Sequence, residues 1–164
     1  MLKQLTFSIS IVFISWITGM IINAFLVRTA FYSKKLTHLN FVESKKINKL
    51  IGIGIIKWMV KNTPFKFFNP NLKMKAKTEL AALNHLHKEM TLAEINHLIA
   101  FVLVLLFAII QIFKGFYSLA LIMTITNILM NLYPSLLQQQ NKRRLDKLKK
   151  ILYTRNLSDG TTVI

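Results

Sequence analysis

Three long apolar runs, separated by strongly basic segments, set the plan of this chain. Leu5 to Val27 carries no charged residue, and Gly19 and Asn23 are its only awkward members. About 20 apolar residues cross the hydrocarbon core of a bilayer, so this run predicts a transmembrane helix over 5–27. A signal peptide is the competing assignment, because Lys3 supplies a minimal positive start. The run is longer than an ordinary signal core and no small-x-small cleavage site closes it, which favours a retained anchor. The second run, Ile95 to Phe113, is apolar except for Asn96 and His97 at its start and Gln111 near its end. Lys114 and Gly115 interrupt it, and a third run, Phe116 to Leu137, follows at once. Spans over 95–113 and 116–137 therefore predict a helical hairpin with a tight turn. Pro134 removes a backbone donor late in the third span and predicts a kink there.

The segment 28–94 reads as cytoplasmic and partly interfacial, and 138–164 as a basic tail. Within the former, Leu50 to Val60 is apolar but broken by Gly52, Gly54 and Lys57, too short to span. It lies in the interface or dips into the bilayer. Pro64 to Pro70 interleaves aromatics with Lys66, a pattern found at headgroup depth and equally in a greasy turn between helices. Lys75 to Glu89 reads as a polar helix. The fold class is all-α: a single membrane domain of three transmembrane helices with a basic, partly interfacial cytoplasmic segment.

Charge fixes the expected orientation. The 164 residues are 53% hydrophobic, yet 22 Lys and Arg stand against 6 Asp and Glu, a net charge of +16. Long uninterrupted apolar runs exclude a small nucleic-acid module and leave anionic lipid as the partner for this charge, at about 1 kcal/mol per juxtamembrane Lys or Arg. All the Lys and Arg except Lys3 and Lys114 fall in the two segments beyond the spans. Basic loops stay in the cytoplasm, so the expectation is a multi-pass cell-membrane protein, N-terminus outside and C-terminus inside. With no cysteine there is no disulfide, no thiolate nucleophile and no Cys-based zinc site.

Polar residues inside spans are costly, and here their spacing groups them. Thr124, Asn127, Asn131 and Gln138 recur at intervals of three, four and seven, one face of a helix. His97 and Tyr133 lie equally far along the chain from Gly115, which at 1.5 Å per residue sets both roughly 27 Å from the turn. Glu94 and His97 are three residues apart, close enough to share a helical face. The resulting constellation is Glu94, His97, Asn131, Tyr133 and Gln138 at the cytoplasmic membrane boundary. Plainer roles fit the same residues: interhelical hydrogen bonds for the stripe, a Thr91 to Glu94 capping box, and an interfacial aromatic at Tyr133. His85 and His87 point to different helical faces and lack a carboxylate ligand set, so no metal site is expected. No His is followed five positions later by Asp, and phosphate-loop and serine-elbow motifs are missing.

The segments Met90 to His97 (MTLAEINH) and Asn131 to Leu145 (NLYPSLLQQQNKRRL) resemble the glycosyl-diaponeurosporenoate acyltransferase family of bacterial carotenoid biosynthesis. The resemblance covers about a third of the chain and rests on Ala93, Glu94, His97, Asn131, Tyr133, Pro134, Gln138, Asn141, Arg144 and Leu145. The chain departs from the pattern at Leu98, where the family tends to have Trp, and at Gln139 and Gln140, where a more basic and aromatic pair is usual.

The resemblance implies a membrane acyltransferase that esterifies a sugar hydroxyl of a glycosylated carotenoid or related glycolipid with a fatty acyl group, using an acyl carrier or acyl-CoA as donor and no further cofactor. Such a reaction needs a base, oxyanion donors and an anchor for the acyl donor. His97 is expected as the base with Glu94 orienting it, and Asn131 or Tyr133 as oxyanion donor. Asn127, Gln138 and Asn141 are expected on the substrate side, and Lys142, Arg143 and Arg144 at the donor's phosphates. The alternative is a non-catalytic membrane scaffold or accessory subunit, its polar groups fastening the hairpin and its basic segments binding anionic lipid or a partner enzyme.

Overall fold

The three apolar runs are three helical spans in the computed structural model, which describes residues 1–39, 54 and 80–158. The described residues are overwhelmingly helical and contain no strand. In a bilayer core no water satisfies the backbone, so a helix with all its bonds internal is the form a spanning segment takes. The interfacial segments expected at Leu50 to Val60 and Pro64 to Pro70 lie outside the described residues, Gly54 aside.

Helix α1 (Leu2–Leu26) is built inside out relative to a soluble helix. Its buried face is Ser8, Val12, Ser15, Gly19 and Asn23, at intervals of three and four. Phe7, Phe13, Ile14, Ile17, Met20, Ile21 and Phe25 point outward. Lipid tails are as apolar as Leu, so burying large side chains gains little there; small residues win because they let backbones approach. Gly19 shows how close that approach is. A Cβ at this position would stand 2.9 Å from the Asn96 carbonyl oxygen of the neighbouring helix.

After α1, Thr29 caps a short helix α2 (Ala30–Lys35) by accepting from the Tyr32 N–H, and one 3₁₀ turn follows over Leu36–His38. Helix α3 (Leu80–Phe113) is continuous. The sequence suggests a polar helix ending at Glu89 and a separate span from Ile95. No Gly or Pro lies between Leu80 and Phe113, and nothing breaks the helix there. Thr91 is consequently not an N-cap: its hydroxyl donates to the His87 carbonyl within the helix, and the capping-box reading of Glu94 falls.

The tight turn closes as expected. Gly115 adopts φ 78°, its N–H bonds to the Ile112 carbonyl and the Phe116 N–H to the Gln111 carbonyl. That pair of bonds is a Schellman motif, and the left-handed position explains the glycine. Helix α4 (Tyr117–Asn127) leads through a π-helical turn, Ile128–Leu132, into α5 (Tyr133–Ser158). The Tyr133 N–H reaches back five residues to the Ile128 carbonyl. The disruption expected of Pro134 is thereby absorbed one turn early. Proline has no N–H to offer, and the wider turn before it lets the helix continue rather than end.

Packing has two centres. Val12, Val104, Ala108 and Met123 meet at membrane depth, with Ile11, Trp16 and Met130 against them. Leu83, Met90 and Leu145, joined by Leu86 and Leu152, form a second cluster where α3 and α5 run on together beyond the apolar spans. Gln4 and Ser118 approach at 3.4 Å, so the N-terminus and the Gly115 turn share one end of the molecule.

Candidate functional site

Two polar layers cross the helices near the end opposite the Gly115 turn. The deeper layer begins at the Phe101 carbonyl of α3, which accepts from Asn127 Nδ2 at 2.9 Å. Asn127 Oδ1 accepts from Asn131 Nδ2 at 2.8 Å. Asn131 Oδ1 then accepts from Trp16 Nε1 of α1 at 2.6 Å and lies 3.4 Å from His97 Nδ1 of α3. The Trp16 ring also meets the His97 ring edge-on, centroids 5.7 Å apart. Asn127 and Asn131 are fully buried, whereas His97 is half-buried.

The outer layer lies one helical turn away, about 4.5 Å along α3. Glu94 is 0% exposed and Lys142 4% exposed, and the two form an ion pair through Glu94 Oε2. Gln139 Nε2 donates to Glu94 Oε1 at 2.8 Å. Lys142 Nζ also donates to the Thr37 carbonyl at 3.2 Å, tying the segment after α2 to α3 and α5. Asn23 of α1 joins in from the side, its Nδ2 donating to the Leu92 carbonyl at 3.1 Å and to Asn96 Oδ1 at 2.7 Å. Tyr32 is buried at the same end, and that burial pushes its hydroxyl above the usual phenol pKa range.

The residues singled out from the sequence divide accordingly. His97 and Asn131 are brought together across the hairpin. Glu94 faces α5 as well, but its carboxylate goes to Gln139 and Lys142 rather than to His97, whose ring nitrogen meets Asn131 instead. Lys142, expected at a donor phosphate, is turned inward. Arg143 is half-buried and Arg144 exposed, Asn141 is buried, and Tyr133 and Gln138 are half-buried along α5. The His85 ring pairs with Glu89 and the His87 ring with Asp146.

Sequence reasoning missed Trp16 and Gln139. For Trp16 a signal existed: tryptophans concentrate at the ends of spans, and one in the middle needs a partner for its indole N–H. Gln139 is displaced by the π turn. One extra residue in a turn shifts the helical phase by about 100°, so the residue in line with Asn127 moves from Gln138 to Gln139.

Comparison with known proteins bears on the same residues. The sequence model of the family described as glycosyl-4,4'-diaponeurosporenoate acyltransferase matches residues 28–151. The match contains Glu94, His97, Asn131, Gln139 and Lys142 and leaves out Trp16 and Asn23. Neither a curated protein nor a solved structure matches the chain.

Proposed function

Because the chain belongs to the glycosyl-4,4'-diaponeurosporenoate acyltransferase family, we propose that it transfers a fatty acyl group to a sugar hydroxyl of a glycosylated carotenoid or a related glycolipid. The observation that carries this reading beyond the family is His97. It is a half-buried imidazole, held at one ring nitrogen by a buried amide, among polar groups that all three spans contribute.

In this reading His97 removes the proton from the sugar hydroxyl as that oxygen bonds to the acyl carbonyl carbon. The carbonyl oxygen gains the charge, which a hydrogen-bond donor beside His97 must meet; Tyr133, two residues beyond Asn131, projects from a different helical face and is not that donor. The intermediate collapses by breaking the bond to the donor's leaving group, which takes the proton back from His97. Arg143 and Arg144 serve the phosphates of an acyl carrier or acyl-CoA. With no cysteine in the chain, no acyl-cysteine intermediate enters.

The test uses purified protein in lipid nanodiscs with a glycosylated carotenoid and, separately, an acyl carrier or acyl-CoA donor. One fatty acyl chain added to the sugar, seen by mass spectrometry, is the expected product. Absence of acylated product with either donor refutes the reading. The hydrogen-bonded Asn127 and Asn131 also suit the scaffold alternative, which predicts that second outcome.

The site is proposed to face the cytoplasm, since the basic α5 lies at its end of the molecule. Cysteines introduced at Lys114 and Lys147, both exposed, check this. An impermeant thiol reagent applied to intact cells should label Lys114→Cys and spare Lys147→Cys; the reverse pattern would invert the topology.

A further inference from the structure

Trp16 lies outside the residues that match the family, on a helix that the sequence presents only as an anchor. We infer that Trp16 is a positioning residue that sets the tautomer and orientation of His97, so that α1 is part of the site; as a statement about catalysis this rests on the acyl-transfer reading.

The hydrogen-bond chain has a fixed direction that can be followed from either end. A backbone carbonyl only accepts, so Asn127 must present its NH₂ group to Phe101 and its oxygen to Asn131. Asn131 must then turn its own oxygen toward Trp16 and His97. An indole N–H only donates, so Trp16 demands an oxygen at the same place. Both ends agree, and His97 Nδ1 therefore faces an acceptor and carries the ring proton. The lone pair is left on Nε2, the nitrogen a base needs free.

The His97 contact is long at 3.4 Å and the Trp16 bond short at 2.6 Å. Asn127 thus decides which atom Asn131 presents, and the shorter bond from Trp16 holds that oxygen where His97 meets it. The Trp16 ring stands at 88° to the imidazole, which limits rotation of His97, and it is itself steadied by Phe13, centroids 4.8 Å apart. Trp16 thus holds both the acceptor that selects the tautomer and the wall that keeps the ring in place.

The test is Trp16→Phe in the full-length protein in nanodiscs, a change that keeps an aromatic ring and removes the N–H donor. In ¹⁵N-histidine-labelled wild-type protein, with His97 assigned by His97→Gln, the NMR shifts should report the proton on Nδ1. In Trp16→Phe they should move toward a mixture of the two tautomers, and kcat should fall about tenfold with KM unchanged. A purely structural Trp16 would lower thermal stability and leave the tautomer alone. Wild-type His97 protonated on Nε2, or Trp16→Phe with wild-type tautomer and kcat, overturns the inference. The NMR arm needs no substrate, so a wild-type protein with the Nδ1 tautomer and no transferase activity would sink the acyl-transfer reading and still uphold the control of His97 by Trp16.

Discussion

Lys142→Met should destabilise the folded protein by about 3–5 kcal/mol, a hundredfold or more in the balance between folded and unfolded forms. The cause is what the substitution leaves behind. Glu94 is 0% exposed, and without the ammonium its carboxylate keeps, among the described residues, one neutral donor, Gln139. A buried charge that loses its partner costs far more than the pair contributes while intact, because desolvation has already been incurred. The same argument predicts recovery. In the double variant Glu94→Leu with Lys142→Met no charge is buried, and stability should return to within about 1–2 kcal/mol of the wild type. Thermal unfolding in detergent reads both results. A single Lys142→Met variant that melts with the wild-type protein would show that Glu94 is not held as an isolated buried charge, and the outer polar layer would lose its structural role.

How far this arrangement is legible in the sequence depends on which physical rule governs each residue. The meeting of His97 and Asn131 follows from rise per residue and the position of one turn, and both are local properties. Gly115 announces the turn, nearly equal lengths of helix on either side set the two at similar depth, and the polar stripe sets the face. The partner of Glu94 does not follow in the same way. It is chosen by helical phase, and phase is altered by the π turn over Ile128–Leu132, which no residue pattern marks except the proline just after it. Gln139 and Lys142 come into line with Glu94 only after that shift. The continuity of α3 is missed for another reason: the change from polar to apolar residues at Ile95 marks a change of surroundings, not a helix end. Gly19 and Asn23 look out of place in an apolar run and become intelligible only beside α3, one as the point of closest approach and the other as a donor to Leu92 and Asn96.

The largest effect on chemistry is expected at His97. His97→Ala should reduce acyl transfer by about 10²–10⁴, the usual consequence of removing a positioned base. It should do so with little loss of stability. The side chain is half-buried, its contact with Asn131 is long at 3.4 Å, and its removal leaves the chain from Trp16 through Asn131 and Asn127 to Phe101 intact. Helix–helix hydrogen bonds are worth about 0.6–2 kcal/mol, so a role as interhelical glue would show as a lower melting temperature and reduced abundance. Asn127→Ala is the control, since Asn127 is fully buried between Phe101 and Asn131, and it should lose stability first and activity only in proportion. The two variants therefore separate the chemical from the structural meaning of one polar layer. If purified His97→Ala keeps most of the wild-type transfer rate at saturating substrate, His97 is not the base, and the mechanism built on it is wrong even though the family assignment stands.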